Sequence, residues 1–191
     1  MKENHYIRHD QARKIFKAFD YANNCGTSLN IFAVIYLDNI PSQSSLTAYR
    51  KLCFKYRTWL KYKEKSLNKF LEPTYVFTME NPNNNTHVNW VLYVPNELKN
   101  EFMKKLPIWL KKVQGEIGHG KLWSDTIEMN GYKSTANYIL KGIDPDYIDT
   151  FFLRALHDKK GPQGLIHGQR AGVSRSLGPK RIKQVMNLKI Q

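Results

Sequence analysis

Two short clusters of residues in this chain have types and spacing that could do chemistry. The first lies in Thr86-His87-Val88-Asn89-Trp90-Val91-Leu92-Tyr93-Val94, whose alternation puts His87 and Asn89 on one face of a strand. Val88, Trp90, Leu92 and Val94 then turn to a core. The run from 74 to 80 is also β-prone, and Asn81-Pro82-Asn83-Asn84-Asn85 between the two is turn chemistry, so a hairpin is expected. With Pro82 to Asn85 as the loop, Asn81 pairs with Thr86 and Glu80 lies across from His87. A carboxylate, an imidazole and an amide oxygen would converge there. That donor set suits Mg²⁺ or Mn²⁺, which leave positions open for phosphate oxygens.

The second cluster is Tyr138 with Lys141 in Ala136-Asn137-Tyr138-Ile139-Leu140-Lys141-Gly142, where a three-residue offset on a helix sets phenol and ammonium side by side. Lys141 would ease formation of a phenolate or hold a phosphate. A tyrosine oxygen serves as a covalent nucleophile when its deprotonation is assisted and charge on the reacting phosphorus is stabilised. Taken singly, a strand histidine is as readily an ordinary half-exposed residue, and a tyrosine an amphipathic core residue. Tyr132 stands six residues from Tyr138 and would leave the helix on another side, so a single-tyrosine site is expected.

The elements that must position these groups are legible in outline. Residues 10 to 22 read as an amphipathic helix stopped by Asn23-Asn24-Cys25-Gly26, and 29 to 37 as a strand apolar on both faces. Pro41 and Ser42 open a long helix with Leu46, Tyr49, Leu52, Cys53, Tyr56, Trp59 and Leu60 on its packing face. After the hairpin, Asn96 starts a helix that Pro107 should kink or interrupt. A strand is expected within 113 to 129, a helix over 132 to 141, and a further helix after Asp144-Pro145. The class is α+β, one domain with a central antiparallel sheet flanked by helices. Its expected division is an N-terminal helical extension over 1–28, a core domain over 29–158 and a basic, glycine-containing tail over 159–191. Removal of that tail is expected to leave a folded domain.

Lys and Arg outnumber Asp and Glu by 30 to 16, which points to a polyanionic partner. No apolar run suits a spanning helix and Met1 to His5 lacks the core of a signal peptide, so no membrane partner and a cytoplasmic location, in a bacterium or encoded by a phage, are expected. Cys25 and Cys53 lack zinc or disulfide spacing. The stretch from Gly164 to Arg175 permits close approach to phosphate but lacks the Gly-Lys-Ser/Thr ending of a nucleotide-binding loop, so no nucleotide cofactor is expected. Trp123, Arg170, Arg175, Lys180 and Arg181 are the candidate nucleic-acid contacts.

An early strand, a His-hydrophobic-polar strand and a later helix bearing Tyr138 and Lys141 together resemble the HUH endonucleases, the rolling-circle replication initiators of plasmids and single-stranded phages. The resemblance spans residues 29 to 142. It implies a Rep-like fold in which Glu80 and His87 ligate Mg²⁺ or Mn²⁺, Tyr138 attacks a phosphate of single-stranded DNA, and Lys141 sits beside that phosphate. A 5′-phosphotyrosine and a free 3′-hydroxyl would result. Asn89 stands where the family has its second histidine, and an amide is a weaker donor to a transition metal than imidazole. Two outcomes stay open: an enzyme tolerant of that Asn, or a regulator that keeps nucleic-acid binding without nicking. RNA is the rival ligand, and no helicase motif is present, so a role in replication would need a separate helicase.

The charge balance makes one expectation measurable. Affinity for single-stranded DNA should fall steeply with salt, with log Kd changing by about 0.7 per decade of salt for each phosphate neutralised. Fluorescence anisotropy over a salt series reads that slope, and a flat response would remove the nucleic-acid reading.

Overall fold

The computed structural model describes residues 3–128 and 131–178. A short strand β1 (Glu3–Asn4) leads into helix α1 (His9–Asn24), which buries Ala12, Ile15, Ala18, Phe19 and Ala22 at helical spacing. The Arg8 amide donates to the Gln11 side chain at 3.1 Å and closes the first turn. Strand β2 (Ile31–Tyr36) and the 23-residue helix α2 (Ser45–Leu67) follow. Leu46, Tyr49, Leu52, Cys53, Tyr56, Trp59 and Leu60 are all buried on α2, as its periodicity predicts.

The hairpin consists of β3 (Tyr75–Glu80) and β4 (His87–Leu92), with Glu80 directly opposite His87. Asn83 and Asn84 take left-handed backbone at φ 53° and 59°, a conformation asparagine tolerates better than most residues. Helix α3 (Lys99–Gln114) runs through Pro107 without interruption. Strand β5 (Leu122–Thr126), helix α4 (Tyr132–Ile139) and the short helix α5 (Arg154–Lys160) come next. The chain then forms β6 (Ile166–His167) and β7 (Ala171–Val173).

One five-stranded antiparallel sheet, in the order β5-β2-β4-β3-β7, organises a single α+β domain. On one face Ile31, Ala33, Ile35, Phe77, Met79, Val88, Trp90 and Leu92 pack against α2 and α3. On the other, Val76, Val91 and Ala171 pack with α1 and α4. Both faces are covered, so β4 is buried along its whole length.

The two ends of the chain correct the expected division. α1 carries part of the second core, and β1 pairs with β6, so the N-terminal residues are integral to the domain. Residues 163–178 are not an appended tail either: β7 pairs with β3, and the 163–165 segment clasps the base of the hairpin through Asn81. Arg170 is fully buried and donates to the carbonyls of Asn4, Gln163 and Gly164, tying both ends together. Its guanidinium is an internal strut, which overturns its expected contact with nucleic acid. Burial pulls its pKa down to about 10, with the Glu80 charge opposing that shift.

Gly164 has φ 68°, and a Cβ there would overlap the Asn81 carbonyl. Gly164→Ala should therefore destabilise the fold by about 3 kcal/mol or more, since neither backbone can yield. Truncation after Asp158 should abolish cooperative unfolding, contrary to the expectation from composition. Urea titration followed by circular dichroism checks both.

A buried charge cluster on one sheet face as the candidate active site

Sheet register builds the site in three rows on the face covered by α1 and α4. The first is Tyr36, His87 and Glu80; the second Trp123, Val34, Asn89, Thr78 and Ala171; the third Asp125, Phe32, Val91, Val76 and Val173. Glu80, His87 and Asn89 thus share a face because strand period is two and the hairpin loop fixes register. All three side chains are buried. α4 crosses the third row, where the Tyr138 ring meets Phe32 edge to face at 5.9 Å. Lys141, just past the end of α4, reaches the first row.

The Glu80 carboxylate is the centre. Its Oε2 lies 2.8 Å from His87 Nε2, and its Oε1 lies 2.7 Å from Lys141 Nζ. The lysine contact has poor angles for a hydrogen bond and acts as an ion pair. Burial would raise the Glu80 carboxyl, but the His87 hydrogen bond and the Lys141 charge outweigh it and hold the group below its ordinary range. Burial pulls the Lys141 ammonium down, against the pull of Glu80. His87 Nδ1 faces the Asn85 carbonyl at 3.2 Å, and Tyr36 lies 4.9 Å from the imidazole, ring to ring.

The imidazole proton on Nε2 lies in the contact with Glu80 Oε2, so a divalent cation held there would take that proton's place. Asn89 supplies the second observation: Nδ2 donates to Thr78 Oγ1 at 3.3 Å, while Oδ1 is buried without a partner. A carboxylate, an imidazole nitrogen and an orphaned amide oxygen fit a hard or borderline divalent cation, so the residues present suit Mg²⁺ or Mn²⁺. Among the described residues, no group of three His, Cys, Asp or Glu that could hold a metal ion comes together.

Tyr138 is half-buried, and its ring is flanked by two ammonium groups, Lys141 Nζ at 4.0 Å and Lys160 Nζ at 5.5 Å from the centroid. Both lie by the ring, so the spacing that sets phenol and ammonium side by side holds. Burial and then the Glu80 charge raise the phenol above its ordinary value. Lys141 is engaged by Glu80 and does not lower it. The expectation that Lys141 eases phenolate formation is not met in this arrangement. Trp123 is 49% exposed at the β5 edge and touches Phe32 edge to face at 5.4 Å, so it belongs to the same surface. Arg175 is exposed beyond β7, at the opposite edge of the sheet. Lys180 and Arg181 lie outside the described residues.

Sequence reasoning missed Tyr36, Phe32, Thr78 and Lys160. Tyr36 and Phe32 follow from the β2–β4 register, which becomes available only once Val34 is known to pair with Asn89, whereas Thr78 was implied by the hairpin register that sets Glu80 opposite His87. Lys160 carries no local signal. No protein family, no curated protein and no solved structure matches this chain.

The depressed Glu80 pKa has a definite sign in stability. Glu80 contributes fully above its unfolded value of 4.5, and the contribution disappears as pH falls through the lower folded value. Lys141→Met removes the ion pair and should cost about 3 kcal/mol or more, because it leaves a buried carboxylate short of counter-charge. Acid unfolding should move to higher pH in the variant. Urea midpoints measured from pH 3 to 7 test this; parallel curves for the two proteins would show that the pair is not coupled.

Proposed function

We propose that this chain is a Rep-like, HUH-type endonuclease that binds single-stranded DNA and nicks it by tyrosine transesterification. One observation carries the reading: Glu80, His87 and Asn89, with its unpartnered Oδ1, lie on the same sheet face as Tyr138 and Lys141. A basic chain with an exposed tryptophan beside that face favours an unpaired strand as substrate. Glu80, His87 and Asn89 would hold Mg²⁺ or Mn²⁺, which supplies charge stabilisation to the reacting phosphate.

The chain's own residues do the rest. Tyr138 loses its proton, its Oη bonds to phosphorus, the bond from phosphorus to the 3′-oxygen breaks, and that oxygen takes up a proton. The products are a 5′-phosphotyrosine and a 3′-hydroxyl. Lys141 holds its charge beside the phenol ring, 4.0 Å from the centroid, and pairs with the transferred phosphate once Glu80 is otherwise neutralised. Phe32 fixes the Tyr138 ring from below.

A second reading, a DNA- or RNA-binding regulator without nicking activity, draws on the ion pair itself. Lys141 already neutralises Glu80, so the resting site is stable without a divalent ion. The separate chemical outcomes decide between the two.

Tyr138→Phe should bind a labelled oligonucleotide pool as the native chain does and form no covalent adduct with Mn²⁺ on denaturing gels. Equal cleavage by both rules out the mechanism. No adduct from either, with binding intact, favours the regulator. Asn89→His should raise Mn²⁺-dependent adduct formation by about tenfold by adding a stronger donor, with an overpacking cost on the order of 1–3 kcal/mol at this fully buried position.

A further inference from the structure

Beyond the charge cluster, the side of α4 away from the sheet forms one wall of a groove of about 580 Å³, with α1 and residues 150–152 as the others. Its base is aromatic. Phe16 and Phe151 stack at 5.3 Å with planes 12° apart, and Tyr132 lies alongside. Phe152 projects next to them, 93% exposed, from a backbone with φ 56°. A bulky residue rarely takes that left-handed conformation, which costs about 1 kcal/mol or more. Leu153, its neighbour, is buried, so the chain turns here to place Leu153 inside and Phe152 outside.

The rim is cationic. Arg13 and Lys17 stand one turn apart on α1, and Lys133 faces them from α4. Among the described residues, none of these three is in an ion pair, and Asp20 is the one acidic residue that lines the groove. An apolar peptide would leave three positive charges uncompensated. A phosphodiester strand with an unpaired base matches both the stacking floor and the rim.

We infer that this groove is a subsite for single-stranded nucleic acid, in which Phe152, beside Phe151 and Phe16, stacks on one unpaired base while Arg13, Lys17 and Lys133 hold its neighbouring phosphates. The inference rests on the proposed function for its choice of ligand. It extends that function by giving the bound strand a place away from the scissile phosphate. The same short helix presents Asn137 to the groove and Tyr138 to the sheet face, so a strand seated in the groove continues to the candidate nucleophile across α4.

The test uses the full chain and a 5′-fluorescein-labelled, mixed-sequence single-stranded DNA 30-mer, read by anisotropy. Phe152→Gly relieves the backbone and removes the ring, so the thermal midpoint should stay level or rise while Kd weakens about five- to tenfold, the lower part of the range for loss of one stacked base. Its salt slope should be native. Lys17→Ala with Lys133→Ala should weaken binding and lower the slope by about 0.7 for each phosphate that is no longer neutralised. Native affinity in Phe152→Gly overturns the groove and leaves the proposed function standing. Absence of DNA binding in the native chain overturns both. Sedimentation showing a dimer that only Phe152→Gly dissociates would assign the groove to self-association and overturn the inference. Loss of affinity in Phe152→Gly, with a native salt slope and thermal midpoint, supports the groove whether or not any adduct forms.

Discussion

A carboxylate with no solvent exposure cannot stay charged in a protein interior unless neighbours supply the stabilisation that water gave. Glu80 meets that condition with His87 at one oxygen and Lys141 at the other, and much of the domain is arranged to keep them there. The asparagine-rich loop holds the register that sets His87 opposite Glu80. The 163–165 segment holds the loop's base, with the Asn81 side-chain amide donating to the Leu165 carbonyl, its backbone N–H to the Gln163 carbonyl, and the Thr86 hydroxyl donating to Asn81 Oδ1. Arg170 then secures that segment to the N-terminal strand. A change in β1 or in the 163–170 segment therefore bears on the support of the charge cluster.

The Glu80 charge acts on two neighbours: it holds Lys141 in an ion pair, and it adds to burial in raising the Tyr138 phenol above its ordinary value. Neutralising Glu80 with a divalent cation would reverse both consequences of its charge. It would release Lys141 from its partner and remove a repulsion against the phenolate. Lys160, exposed and 5.5 Å from the same ring, adds positive potential on the solvent side without being held by Glu80.

How much of this could be read from residues depended on the range of the interactions. Element types and the hairpin register were legible because they rest on local periodicity and turn chemistry; Glu80 opposite His87 followed from Pro82 and three asparagines alone. The ion pair between Lys141 and Glu80 joins residues 61 positions apart and has no local signature. The C-terminal segment misled for a physical reason. Glycine and basic residues suggest a solvated tail, yet Gly164 is demanded by a close approach to Asn81, Gly172 by the Gln169 side chain and the Phe77 ring, and Arg170 donates to three backbone carbonyls inside the fold. Composition cannot distinguish a glycine that confers freedom from one that permits contact. Only the partner's position does.

Asn89 can be understood in the same terms. It sits fully buried between Val34 and Thr78, where a side chain must be small and must satisfy its own polar atoms. The Thr78 hydroxyl takes one amide hydrogen, and Oδ1 is left buried without a partner. An unsatisfied buried oxygen costs on the order of 1–3 kcal/mol, and a leucine or valine in its place would avoid that cost. A cation in the site proposed above would give that oxygen a partner. Thr78 then has a role of its own: it fixes which end of the amide faces the cluster, so the fitness of Asn89 as an oxygen donor depends on a hydroxyl one strand away.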